Sequence, residues 1–168
     1  MKKGLIFGAA FMLMSTPAFA ETTAWGGVSA GINIDGGSVS AMARVGADTT
    51  IGNGAFMGIA LGIGESGVKE CQGLACAIGG REITAETRLG GVTKGGTKIY
   101  AIGGYSSLKL KGKYGALNVL SDTDGGVTGG VGVQFPLGSK SFIRSEFRYS
   151  DYGGSSVTSI MPTIGFNF

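Results

Sequence analysis

Apolar and polar residues alternate with a period of two along most of the chain after residue 22. The stretch "SFIRSEFRYSDYGG" at 141–154 shows the pattern: Ile143 and Phe147 fall on one parity, whereas Arg144 and Glu146 fall on the other. Such alternation is typical of a β-strand with two different faces. It recurs eight times, and clusters rich in glycine separate the repeats, as expected for turns.

The alternation predicts eight strands, each with one apolar and one small or polar face. Their approximate ranges are 24–34, 39–47, 55–63, 82–89, 98–110, 126–135, 142–149 and 158–168. In the fifth strand we assign Tyr100, Ile102, Leu108 and Leu110 to the apolar, outward face.

The N-terminus has the features of a secretory signal. An apolar run at residues 5–14 follows two lysines, and a small-x-small pattern ending at Ala20 predicts cleavage before Glu21. The apolar run is too short to span a bilayer comfortably. We therefore expect residues 1–20 to be a signal peptide and residues 21–168 to form one exported domain.

Composition narrows the possible functions. The chain has 34 glycines, which disfavour helices, and only 15% charged residues. Without the two signal lysines the net charge falls from +3 to +1, so nothing in the charge indicates a nucleic-acid partner. There is no histidine, which excludes Ser-His and Asp-His catalysis. We expect neither an enzyme nor a cofactor or metal.

Charged residues on the predicted strands share the face opposite the apolar one. They are Arg44, Asp48, Glu82, Glu86, Arg88, Arg144, Glu146 and Arg148. In a soluble sandwich this face would be ordinary wet surface. Its abundant glycines and balanced charges instead favour an all-β, eight-stranded antiparallel transmembrane β-barrel with lipid outside and charges in a narrow lumen. Such charges would form a structural plug or, alternatively, a gated ion path.

Two segments resemble a known family. "IGFNF" at 164–168 resembles the C-terminal signature of outer-membrane barrels, with Ile164, Phe166 and Phe168 at alternating positions. "RSEFRYSDYG" at 144–153 resembles the penultimate strand of the small eight-stranded outer-membrane β-barrel family, which includes opacity-like surface proteins, OmpX and the OmpA membrane domain. The resemblance implies an outer-membrane location, recognition by the barrel-assembly machinery and no shared catalytic residues.

The even strand number and the export signal predict that both termini lie in the periplasm. The expected external connections are 35–38, 65–80, 112–124 and 151–156. The expected periplasmic turns are 49–54, 93–97 and 136–141. Tyr100, Tyr149, Phe166 and Phe168 are expected to form aromatic girdles at the membrane interfaces.

Two features belong to the longer connections. Cys71 and Cys76 predict a disulfide, because exported proteins meet an oxidising periplasm, and two thiols without histidine make a poor metal site. Lys109, Lys111 and Lys113 are assigned to the inward parity of a protruding hairpin. They form a solvated rim or, alternatively, contact lipopolysaccharide phosphates or a host polyanion.

These observations predict a monomeric, non-enzymatic barrel that supports the envelope and contacts a host or surface ligand through its loops. The alternative is a narrow, ion-conducting channel. The expected partners are outer-membrane lipid, lipopolysaccharide and, during biogenesis, the barrel-assembly machinery.

Overall fold

The computed structural model describes most of the chain after residue 20. The described residues are 21–35, 37–52, 54–67, 69–72, 75–114, 117–153 and 155–168. For residues 69–72, 75–77, 110–114 and 117–122 the structure describes only the backbone. The predicted signal peptide, residues 1–20, and its cleavage position at Ala20 lie outside the described residues. The strands are β1 (Thr22–Asn33), β2 (Ser38–Ile51), β3 (Ala55–Glu65), β4 (Lys69–Gln72), β5 (Ala75–Val92), β6 (Lys98–Tyr114), β7 (Leu117–Leu137), β8 (Ser141–Asp151) and β9 (Ser156–Asn167).

The strands form a closed antiparallel ring. Each long strand pairs with the next, β3 pairs with β5, and β1 pairs with β9. The short β4 pairs with the start of β5 and stands outside the ring. The predicted eight-stranded antiparallel barrel is therefore confirmed. No helix in the described part of the chain is long and apolar enough to cross a membrane.

The barrel has its apolar surface on the outside. Large apolar side chains such as Val45, Leu61 and Val127 are 59–68% exposed on the outer face. Arg44 and Glu146, in contrast, are 2% and 0% exposed on the inner face. Because side chains alternate across each strand, one parity faces outward and the other lines the interior. The direction predicted from the sequence is correct for seven of the eight strands.

The exception is β6, for which the predicted faces are wrong. Tyr100, Ile102 and Leu108 are buried in the interior, whereas Ile99 and Tyr105 are exposed on the outer face. Tyr100 therefore does not belong to an aromatic girdle. Its register partners on both sides are glycines, in β5 and β7, and these leave the space that the ring occupies. The other residues assigned to the girdles lie on the outer face: Tyr149, Phe166 and Phe168.

The two long connections are also different from the prediction. Segment 65–80 is largely strand, because β4 pairs with the start of β5. In segment 112–124, β6 continues to Tyr114 and β7 begins at Leu117, so the two strands form one extended hairpin. In both segments the backbone ladder therefore continues beyond the ring. The ends of the other predicted connections agree with the strand ends to within three residues.

The seam between β1 and β9 closes the ring and is interrupted in its middle. The register runs through Ser29–Thr163 and resumes at Ile32–Ile160, with Pro162 in the interval. Proline has no backbone N–H to donate to the ladder. At one end Phe168 N donates to Ala24 O at 2.9 Å.

At the other end of this seam, Thr158 forms two hydrogen bonds with the β1–β2 connection. Ile34 N donates to Thr158 O at 2.8 Å, and Thr158 N donates to Asp35 Oδ2 at 2.6 Å. The short connection thus fastens β9 to β1 beyond the interruption.

Candidate functional site

The centre of the barrel contains a buried arginine between two carboxylates. Arg44 of β2 donates through Nη2 to Glu86 of β5 and through Nη1 to Glu146 of β8. These strands are far apart in the sequence, and the closed ring brings their inner faces together. All three side chains are inaccessible to solvent. A buried charge needs such partners, because an uncompensated charge in a low-dielectric interior costs several kcal/mol.

Further cations share the same carboxylates. Arg148 forms an ion pair with Glu86, and Arg88 with Asp48. Lys98 Nζ lies 2.7 Å from Asp48 Oδ2 at the end of the barrel that carries both termini. Each of these acids therefore contacts two cations, which fixes both carboxylate oxygens in place.

Arg144 and Tyr100 complete this charged layer. Arg144 donates to Gln134 Oε1 from Nη2 at 2.7 Å and from Nε at 3.1 Å. Its Nη1 lies 3.7 Å from Glu146 Oε1, which also accepts a 2.8 Å hydrogen bond from the Tyr100 hydroxyl. The Arg144 guanidinium carbon lies 4.0 Å from the centre of the Trp25 ring. Such cation–π contacts stabilise a desolvated guanidinium.

Interior glycines let side chains on alternate strands meet. Gly58 lies in register between Asp48 and Arg88, which pair over it. Gly132 lies in the same way between Tyr100 and Glu146. A Cβ on Gly132 would lie 2.6 Å from Tyr100 Cζ. Gly58 and Gly132 therefore leave the space that the crossing ion pair and hydrogen bond need.

Aromatic contacts fill the barrel near the termini. Trp25 and Phe142 meet edge to face with ring centres 6.0 Å apart, and Phe56 meets Tyr100 at 5.8 Å. The latter pair crosses Gly90, the register partner of Tyr100 in β5. The aromatic side chains therefore fill the part of the interior next to the charged layer.

Glu82 belongs to a separate polar group near the opposite end. Its Oε1 accepts hydrogen bonds from Ser106 at 2.7 Å and from Tyr152 at 3.0 Å. Tyr152 follows the end of β8, and burial, reinforced by the charge of Glu82, raises the pKa of this phenol to about 12. The phenol is therefore a hydrogen-bond donor at neutral pH.

All eight charged residues singled out in the sequence point into the barrel, and seven of them form the central layer. Sequence reasoning missed several of the residues that contact them: Trp25, Lys98, Tyr100, Ser106, Gln134 and Tyr152. Trp25 and Gln134 lie on the face of their strands that was predicted to be inward, so the alternation could have identified them. It could not have identified Tyr100, because both parities of its strand carry apolar residues.

The inward orientation predicted for the lysines of the β6–β7 hairpin is wrong for Lys109, and the side chains of Lys111 and Lys113 lie outside the described ones. Leu108 is buried inside, which places Lys109 at an outward position, where it is half-buried. Lys111 and Lys113 have the same parity along β6. The faces of β6 are the opposite of those predicted, because Leu108 lies in the interior between its register partners Glu82 and Asp124.

The remaining candidate residues are placed as follows. Cys71 and Cys76 are register partners in the β4–β5 pair, and their side chains lie outside the described ones. Ile164, Phe166 and Phe168 are exposed on the outer face. Glu21 O accepts a 2.9 Å hydrogen bond from Thr50 N. Within the described ranges, no three His, Cys, Asp or Glu side chains are grouped so as to hold a metal ion.

Comparison with known proteins agrees with this architecture. A sequence model described as "Outer membrane protein beta-barrel domain" matches residues 6–168. A search of curated proteins gives no significant match.

Solved structures provide matches to the fold. Ail, the attachment invasion locus protein of Yersinia pestis, in complex with the heparin analogue sucrose octasulfate, is 15% identical with a TM-score of 0.64, over 89% of this chain and 99% of that one. The N-terminal β-barrel domain of Pseudomonas aeruginosa OprF is 9% identical with a TM-score of 0.62, over 88% and 97%. Neisserial surface protein A is 16% identical with a TM-score of 0.50, over 88% and 97%. At these identities the similarity concerns the fold.

Proposed function

Since the chain belongs to the family of outer-membrane-protein β-barrel domains and is located in the bacterial outer membrane, we propose that it is a non-enzymatic structural protein of the cell surface. In this role the barrel supports the envelope as a monomer with a closed interior, and its extended hairpins contact a surface ligand. The absence of histidine from the sequence supports the non-enzymatic part of the proposal.

The observation that carries the proposal is the central position of Arg44. Its guanidinium bridges carboxylates from two other strands, and no solvent reaches any of the three side chains. Opening a path for ions would separate these groups and leave buried charges without partners, which is costly in a low-dielectric interior. An eight-stranded barrel has an interior that side chains alone can fill.

Planar-bilayer recordings test whether the interior is closed. We expect the refolded mature protein to give no reproducible current steps, because the ion pairs cross the lumen. A matched variant, Arg44→Ala, removes the bridging side chain and should permit brief, small conductances if it folds. Regular steps from the unaltered protein would contradict the structural role and establish the alternative, a narrow channel.

The extended hairpins support a role in surface contact. β5, β6 and β7 have 18, 17 and 21 residues, whereas β8 has 11. Transmembrane strands need about 9–11 residues. The additional length therefore extends beyond the membrane on the side away from the termini, where it is available to a partner.

Trimming tests this second part of the proposal. Deleting residues 110–122 and joining the strands with a two-residue turn should leave the boiling-dependent gel migration of a folded barrel intact. The trimmed protein should no longer bind a surface ligand that the untrimmed protein binds. Retained binding after trimming would show that the hairpin is not the contact surface.

A further inference from the structure

The indole ring of Trp25 lies against two arginines inside the barrel. The guanidinium carbon of Arg88 lies 4.4 Å from the ring centre, and that of Arg144 lies 4.0 Å from it. The same two carbons lie 5.2 and 5.9 Å from the centre of the Tyr100 ring. Trp25 and both arginines are no more than 2% exposed. Two like charges are therefore held beside one ring in a part of the interior that excludes solvent.

Several hydrogen-bond donors of this group have no acceptor among the described residues. Arg88 uses Nη2 for Asp48, and its Nε and Nη1 are unpaired. Arg144 uses Nε and Nη2 for the neutral side chain of Gln134, and its Nη1 is unpaired. The indole Nε1 of Trp25 is unpaired as well. Buried donors are nearly always paired, so a group of exceptions indicates a bound water molecule or ion.

The charges of the central layer do not balance. Its carboxylates are Asp48, Glu86 and Glu146, and its cations are Arg44, Arg88, Lys98, Arg144 and Arg148. The other inward acids, Glu82 and Asp124, lie toward the opposite end of the barrel. Arg144 is the cation of the layer with no carboxylate at hydrogen-bonding distance, because Glu146 Oε1 lies 3.7 Å from its Nη1. The excess positive charge is therefore greatest beside Trp25.

A set of donors alone selects an anion rather than a water molecule. A water molecule that accepts two hydrogen bonds still has two protons that need acceptors. Guanidinium and indole groups have none to offer, and backbone carbonyls in a strand are directed to the neighbouring strands. An anion accepts from every side and offsets buried positive charge. Because aromatic side chains fill this part of the interior, the anion must be small.

We propose that Arg88, Arg144 and the indole N–H of Trp25 bind one buried halide-sized anion, with chloride as the physiological ligand. The ion accepts hydrogen bonds from the unpaired nitrogens and reduces the repulsion between the two guanidinium groups. It supplies the negative partner that Arg144 lacks. The site lies inside the closed barrel, so it goes beyond the proposed role in surface contact.

Fluorescence tests the proposal directly, because Trp25 is the single tryptophan of the sequence. The mature protein is refolded into zwitterionic lipid vesicles in sodium gluconate, with bromide replacing gluconate stepwise at constant ionic strength. Bromide in contact with an indole quenches its fluorescence by the heavy-atom effect, whereas bromide in bulk solution has little access to a ring that is 2% exposed. We expect quenching that saturates with bromide and that chloride reverses by competition.

Two variants that remove the same charge locate the site. Arg144→Gln removes a guanidinium beside Trp25. Arg148→Gln is the matched control, because Arg148 is also buried but contacts Glu86 and Met161. Boiling-dependent gel migration checks that each variant is folded. Arg144→Gln should raise the bromide concentration at half-maximal quenching by about 10-fold or more, which corresponds to the loss of one charge-assisted hydrogen bond. Arg148→Gln should raise it much less.

Quenching that rises linearly with bromide and does not respond to chloride would overturn the proposal. This result needs only the unaltered protein, so it decides the question even where a variant does not refold. Equal increases for both variants would also overturn the proposal, because the ion would then depend on the total charge of the interior and not on Arg144. Bilayer conductance is a separate measurement, so a failure of the structural role is distinguishable from a failure of anion binding.

Discussion

The Tyr100 hydroxyl donates a 2.8 Å hydrogen bond to Glu146 Oε1, although the two residues lie on strands that are not neighbours. Gly132 of the intervening strand is in register with both. The aromatic ring of Tyr100 passes over Gly132, so the hydrogen bond depends on the absence of a side chain at that position. The same arrangement lets Arg88 reach Asp48 over Gly58.

Gly132→Ala should therefore destabilise the barrel, because its methyl group would overlap the Tyr100 ring. We expect a loss of about 1–3 kcal/mol in the free energy of unfolding, as for other overpacked interiors. Urea unfolding of the protein in lipid vesicles measures this loss. Gly103→Ala is the matched control, since a Cβ at that outward position has nothing within 4 Å. Equal losses for both variants would contradict the packing argument.

Tyr100→Phe should cost about 0.5–1.5 kcal/mol, because it removes one hydrogen bond and leaves the ring in place. Glu146 would still contact Arg44 and Arg144. The measurement is equilibrium unfolding, with Tyr105→Phe as the control on the outer face. Were the control as destabilised as Tyr100→Phe, the interior hydrogen bond would not be responsible.

Glu146→Gln should be more damaging than either of these changes. It removes the charge that Arg44 and Arg144 both contact, and leaving a buried charge without its partner costs about 3–5 kcal/mol. We expect a lower urea concentration at the unfolding midpoint. On gels, the variant should change from the migration of the folded barrel to that of the unfolded chain at a lower heating temperature. Glu65→Gln, at an exposed outward position, should behave like the unaltered protein. A Glu146→Gln protein of unaltered stability would show that the ion pairs do not stabilise the interior.

Asp35→Ala should weaken the seam between β1 and β9. Its carboxylate accepts a 2.6 Å hydrogen bond from Thr158 N, beyond the interruption at Pro162. We expect a loss of about 0.5–1.5 kcal/mol, together with faster amide exchange at the β9 residues near Thr158. Glu65→Ala serves as the control. Unchanged exchange near Thr158 would mean that the backbone ladder alone holds this end of the seam.

Much of the outer and inner lining could be predicted from the alternation. Arg44, Glu86 and Glu146 stand on the opposite parity from large apolar residues, so their strands have only one arrangement that keeps charge away from lipid. A shift by one residue would expose every charge of the strand to hydrocarbon. The individual partners could not be predicted, because they lie on strands that are distant in the sequence and meet only when the ring closes.

The sequence by itself determined the strand period, the number of strands in the barrel and the inside-out distribution of charge, because these depend on local alternation and on the cost of placing charge in lipid. Only the tertiary structure decided the direction of β6, since both of its parities are apolar near Tyr100 and Tyr105. There, the neighbouring Gly90 and Gly132 provide space for the Tyr100 ring inside. With that choice made, Leu108 turns inward and Lys109 takes an outward position.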